Sequence, residues 1–148
     1  MNKKIIQITS FGYRYGPLTP PPTLSYDIRD IPNPPPEYRF LQQMSNDHDD
    51  GATLIRQWLM KNEVFKTRIE VVKKDVLDLV RRRRREREMG DLVDYKGEED
   101  RVTVGVNCLL GRHRSVTFVE ELSKKVKEEL GDDWEVRVRH RELEKTKT

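Results

Sequence analysis

Apolar positions along the chain follow two rhythms. Val102, Val104 and Val106 alternate with smaller or polar residues in RVTVGVNC, the period of a half-buried strand. Residues 4–10 (KIIQITS), rich in β-branched side chains, read the same way, as do residues 24–29 (LSYDIR). A last strand is expected where Trp134, Val136 and Val138 alternate with Glu135, Arg137 and Arg139. The second rhythm has spacings of three and four. Helix is expected from near Ala52, with Leu54, Ile55, Trp58 and Leu59 on one side. After Asn62, a candidate N-cap, Phe65, Ile69, Val72, Val76 and Val80 predict a long amphipathic helix. A third helix is expected to take Ser115 as its N-cap, bury Val116, Val119 and Leu122, and stop at Gly131.

Strands separated by helices predict an α/β sandwich: a small, mostly parallel sheet flanked by helices in a single domain over residues 1–148. The breaks between elements are as informative. Residues 11–23 and 31–36 are proline-rich loops, and the first holds Tyr13, Arg14 and Tyr15, which fit either a connector or the wall of a site. Asp27 and Arg29 read equally as a local ion pair or as site residues, with Asn33 on the stiff loop beyond them. Between strand 102–108 and the helix at Ser115 lies a tight turn through Gly111. Free backbone N–H groups and the positive end of a helix dipole favour an anion there. Arg112, His113 and Arg114 share the turn, and His140 and Arg141 stand at a similar strand exit. Parallel strands are expected to bring Arg29, Arg112, His113, Arg114, His140 and Arg141 to one edge of the sheet.

Composition narrows this further. Lys and Arg number 29 against 26 Asp and Glu, a net charge of +3, too mild to imply nucleic-acid binding by itself. The arginines are clustered instead: Arg81, Arg82, Arg83, Arg84 and Arg85 end the long helix, where Arg82–Glu86 and Arg84–Glu88 are spaced to pair. A solvated helix end is the favoured reading of residues 81–88, and the run is also the candidate for contacts to RNA phosphates, together with Arg14. One cysteine excludes an internal disulfide, and three histidines show no zinc-ligand spacing. Asn46, Asp47, His48, Asp49 and Asp50 are contiguous, as in a loop and helix N-cap, so no metal is expected. No GxxxxGK[ST] loop, signal peptide or membrane span is present, a cytoplasmic protein without cofactor is expected, and residues 143–148 are expected to fray.

Four segments together resemble the C-terminal domain of the RapZ family of bacterial RNase adapters: SFGYRYG at Ser10–Gly16, YDIRDIPNP at Tyr26–Pro34, GVNCLLGRHRS at Gly105–Ser115 and RHRELEK at Arg139–Lys145. The resemblance implies a module that binds a phosphorylated ligand, an amino-sugar phosphate or RNA, at the cysteine-containing turn. By that resemblance Cys108, Gly111, His113, Arg114 and Ser115 form the pocket floor. Asp27, Arg29, Asn33, His140 and Arg141 form its walls, with His48 adding to them. The family's N-terminal nucleotide-binding domain has no counterpart in these 148 residues, so a stand-alone version is expected, with a homo-oligomer as a candidate assembly. Leu109 and Leu110 replace the Thr and Gly usual in the family's turn.

A catalytic alternative uses the same turn. Cys108 and Arg114, followed by Ser115, satisfy Cys-x5-Arg-Ser, the pattern of cysteine-dependent phosphatases, in which a thiolate at a helix N-terminus attacks phosphorus. Asp27, Asp30, Asp49 and Asp50 are the candidate acids, and Asn107 occupies the place of the usual histidine. Non-catalytic binding is the favoured reading.

Overall fold

The computed structural model describes residues 3–38, 48–89 and 99–144, with side chains from residue 54 in the second segment. Four strands form one sheet: β1 (Lys3–Gly12), β2 (Leu24–Asp27), β3 (Glu99–Cys108) and β4 (Glu135–His140). Their order is β2-β3-β1-β4 and every pairing is parallel. The helices are α1 (His48–Lys61), α2 (Glu63–Glu88), α3 (Arg114–Leu130) and the short α4 (Arg141–Glu144), an α/β fold as expected. α1 begins earlier than the apolar pattern near Ala52, because its first turn is polar and carries no hydrophobic signal. Leu143 and Glu144, expected in a frayed tail, are the last residues of α4, and Glu144 pairs with Arg139 at 3.0 Å. Residues 145–148 lie outside the described residues.

Alternation along the strands assigns each face its work. Ile6 and Ile8 of β1 and Val102, Val104 and Val106 of β3 share one core with Ile55 and Leu59 of α1, Phe65, Ile69, Val72 and Val76 of α2, and Phe118, Val119, Leu122 and Val126 of α3. Phe65 and Phe118 meet edge to face, with ring centroids 5.5 Å apart. Each such fully buried side chain contributes about 1.5–3 kcal/mol relative to exposure. The Asn62 N-cap forms as read: its Oδ1 accepts the Phe65 N–H at 3.0 Å.

The proline-rich loop lies over the opposite face. A Cβ on Gly105 would sit 2.9 Å from Leu18 Cδ1 and 3.1 Å from Pro22 Cγ, so the missing side chain is what lets this loop reach β3. Thr23 fixes its end, donating its N–H to Thr103 Oγ1 at 2.9 Å.

Candidate functional site

Because every pairing is parallel, Gly12, Asp27, Cys108 and His140 all end at one edge of the sheet. Gly12 is level with Cys108, and the turn after Cys108 folds back onto it. Gly111 makes this turn with φ +72°, and a Cβ there would lie 2.5 Å from the Gly12 nitrogen. The turn is fastened by the Arg14 N–H, which donates to the Leu109 carbonyl at 3.0 Å.

Cys108 faces inward. Its Sγ accepts the Gly111 N–H at 3.2 Å and lies 3.2 Å from Ser115 Oγ, with Cys108 only 3% exposed and Ser115 fully buried. α3 starts at Arg114 rather than after a Ser115 cap. The N-cap is His113, without a side-chain cap hydrogen bond, and the first turn contains no acid. Ser115 fails as a cap because its hydroxyl is turned to the thiol, and the first-turn amides of α3 therefore have no side-chain acceptor of their own. Arg112 is exposed beside them. Burial, and then the neighbouring Arg112 charge, holds the His113 imidazole below its usual pKa.

Arg114 also turns inward. It is buried, and its Nη1 donates to the carbonyl oxygens of Arg29 at 3.1 Å and Ile31 at 2.8 Å. The guanidinium thus ties the loop after β2 to the first residue of α3.

The remaining site residues divide between the two faces of the sheet. On the face bearing the proline loop, Asp27 Oδ1 accepts the Arg29 N–H at 3.0 Å and Asn107 Nδ2 at 3.1 Å, while Arg29 Nη2 lies 2.8 Å from Oδ2. The Arg29 side chain, chiefly by hydrogen bonding, keeps the Asp27 carboxyl below its usual pKa. The local ion pair forms as read, and Arg29 also lies over the Tyr13 ring, 3.6 Å from its centroid. Asn33 is exposed on the following loop. Arg141 sits over Phe11 and donates to the carbonyls of Gly16 at 2.8 Å and Pro17 at 3.1 Å, which anchors the loop.

On the helix-covered face His140 joins a chain of side chains. Its Nδ1 is 2.6 Å from Ser10 Oγ and its Nε2 is 3.3 Å from Glu120 Oε1, with Arg56 pairing to Glu120 beyond. Burial dominates this imidazole and lowers its pKa, against the opposing pull of Glu120. Sequence reasoning missed Ser10, Glu120 and Glu142. Glu142 is buried and accepts the Gly12 N–H at 2.9 Å as well as Arg141. An acidic residue directly after Arg141 was the available signal for it.

The arginine run is only partly a solvated helix end. Arg82–Glu86 and Arg84–Glu88 pair at 3.9 and 3.3 Å as spaced. Arg83 instead lies 2.8 Å from Asp100, which is 1% exposed and also pairs with Arg87. Arg81, Arg82, Arg84 and Arg85 line a groove of about 1010 Å³ along α2, away from the α3 terminus, together with the acidic Asp75, Asp78 and Glu88. His48, Asp49 and Asp50 begin α1, but their side chains lie outside the described residues. Among the described residues no group of three or more His, Cys, Asp or Glu could hold a metal ion, and no helix is long and apolar enough to cross a membrane.

Comparison with known proteins covers nearly the whole chain. The model of the RapZ C-terminal domain matches residues 4–144. A nucleotide-binding protein of Brevibacillus brevis is 30% identical over 144 residues, covering 96% of this chain and 41% of that protein. One from Desulforamulus reducens is 31% identical over 146 residues, again 96% and 41%. A Bacillus pumilus nucleotide-binding protein is 30% identical over 142 residues, 95% of this chain and 40% of that protein. The chain therefore spans about two fifths of the length of these curated relatives.

Proposed function

This chain belongs to the RapZ C-terminal domain family, and from that membership and the geometry at the sheet edge we propose that it binds a phosphorylated ligand at the N-terminus of α3. The observation that carries the proposal is the first turn of α3, with no side-chain cap, no acid, and Arg112 and His113 beside it. Such a terminus presents several N–H donors and the positive end of the dipole to one anion. The relatives' description as nucleotide-binding proteins supports a phosphate-bearing ligand, although it belongs to proteins more than twice as long.

In this reading, Arg112 supplies an exposed charge and His113 a hydrogen-bond donor. Gly111 lets the turn close, while Cys108, Arg114 and Ser115 shape the floor from behind. Asp27, Arg29 and Arg141 hold the surrounding loops, Asn33 lies exposed on one of them, and His140 stands behind on the helix-covered face. Binding is the favoured chemistry over thiol catalysis, because the Cys108 sulfur is turned to Ser115 and buried. A thermal-shift titration with inorganic phosphate and glucosamine 6-phosphate tests the site, since a ligand of the native state raises the melting temperature by mass action. Arg112→Ala is expected to reduce the shift. No shift with either compound would defeat the proposal.

An RNA backbone is a second reading, supported by Arg81, Arg82, Arg84 and Arg85, which line that groove beside Asp75, Asp78 and Glu88. It requires RNA affinity that falls steeply with salt and weakens on neutralising Arg81 and Arg85, not Arg83.

A further inference from the structure

The outer face of α2 carries a row of side chains that the described fold leaves exposed. Positions 71, 75, 78, 82, 85 and 89 follow one another at alternating spacings of four and three, so they share one face over about 27 Å of helix. All six residues are exposed, Val71 at 52% and Met89, the C-cap, at 74%. Asp75, Asp78, Arg82 and Arg85 also line the groove along α2.

Contacts within the chain account for little of this row. Among the described residues Asp78 and Arg85 make no ion pair, Arg82 reaches Glu86 only at 3.9 Å, and Asp75 accepts the Tyr26 hydroxyl at 2.9 Å. In order, the row reads apolar, acid, acid, base, base, apolar. Turned end for end, it sets every acid against a base.

We propose that α2 pairs antiparallel with α2 of a second copy of this chain, about a two-fold axis level with residue 80. Asp75 then faces Arg85, Asp78 faces Arg82 and Val71 faces Met89. A two-fold contact must be self-complementary, because residue i meets j wherever j meets i. The members of each pair stand equally far from residue 80, so a single axis satisfies all six positions at once. A parallel partner in register would set Asp75 on Asp75 and Arg82 on Arg82, so charge selects the orientation as well. The alternating spacing is that of a helix–helix seam, with Val71 and Met89 closing its two ends. An RNA strand in the same groove would lie against Asp75 and Asp78, which repel phosphate, whereas a second copy uses acids and bases alike. Because the centre of the seam is ionic, the association is modest and sensitive to salt. The contact stands whatever the α3 terminus binds.

The test is sedimentation equilibrium of the whole chain at low and high salt. A dimer is expected with a dissociation constant on the order of 10–100 μM at about 0.05 M NaCl, weakened about tenfold or more at about 0.5 M. Asp78→Arg and Arg82→Asp each leave like charges facing across the axis, and each is expected to be monomeric. An equimolar mixture of the two restores opposite charges and is expected to sediment as a dimer. Arg85→Glu, which sets an acid against Asp75, is expected to be monomeric too and serves should either variant not fold. Val64→Ala, on α2 outside the paired row, keeps the dimer. A wild-type chain still monomeric at about 200 μM would overturn the proposal. So would a dimer that both Asp78→Arg and Arg82→Asp keep, or a mixture no more associated than its components. Tighter binding of a short RNA hairpin by Asp78→Arg, in a wild-type chain that never dimerises, would give the groove to RNA instead.

Discussion

Cys108 Sγ and Ser115 Oγ lie 3.2 Å apart in a contact sealed from solvent, joining the end of β3 to the first turn of α3. Reaction of the thiol with a disulfide reagent therefore has to wait for local opening. Labelling of the native chain is expected to run at least about tenfold slower than in denaturant, without saturation by phosphate-bearing ligands. Fast native labelling that phosphate blocks would restore the phosphatase reading.

Asp100 lies buried between Arg83 and Arg87. Removing the carboxylate leaves two partly covered guanidinium groups facing each other. Asp100→Ala is expected to cost about 3 kcal/mol in urea unfolding. Arg81→Ala, on the exposed side of the same helix, is expected to change stability by less than about 0.5 kcal/mol. Equal effects would mean that the inner pair contributes nothing beyond surface charge.

Gly111 combines a left-handed backbone, φ +72°, with direct contact against Gly12. Gly111→Ala adds both conformational strain and a clash with backbone that cannot rotate away. A loss of about 3 kcal/mol, or a melting temperature lower by about 10 °C, is expected. Gly16→Ala shares the positive φ, 92°, but meets nothing within 4 Å, so it isolates the strain from the clash.

Acid should destabilise the fold through its two described histidines. His113 and His140 are both held below the ordinary imidazole value of 6.5, mainly by burial. The unfolded chain therefore binds more protons than the native one as the pH falls through 6.5. Their contribution is intact above that value and is lost progressively below it, toward the depressed native values. The urea midpoint is expected to be flat from about pH 7 to 8 and to drop toward pH 5, with a smaller drop in the His113→Gln/His140→Gln variant. An identical drop in that variant would assign the acid sensitivity to carboxylates.

The strands and long helices were legible because their signal is local. Val102, Val104 and Val106 alternate, and Phe65 to Val80 recur at helical spacing, and burial follows both patterns. That Arg29, Arg112, His113, Arg114, His140 and Arg141 all follow the C-terminal ends of strands came from parallel pairing alone, whereas their division between the two faces of the sheet did not. What each side chain does there was not legible. Orientation depends on partners distant in sequence: Arg114 on carbonyls 83 and 85 residues away, His140 on Ser10 130 residues away, and Arg83 on Asp100 across the sheet's far end. A motif gives residue types at a turn, whereas packing decides which of them face the solvent.

The inward tie of Arg114 to the loop after β2 has an evolutionary consequence. The frame of the turn is carried by Cys108, Gly111, Arg114 and Ser115, all buried, while Tyr13, Tyr15, Leu109 and Leu110 extend outward from it. Substitutions at the outward positions disturb little of the packing and are nearly neutral for folding. Lineages can therefore vary what the turn presents to solvent while the frame beneath it stays unchanged.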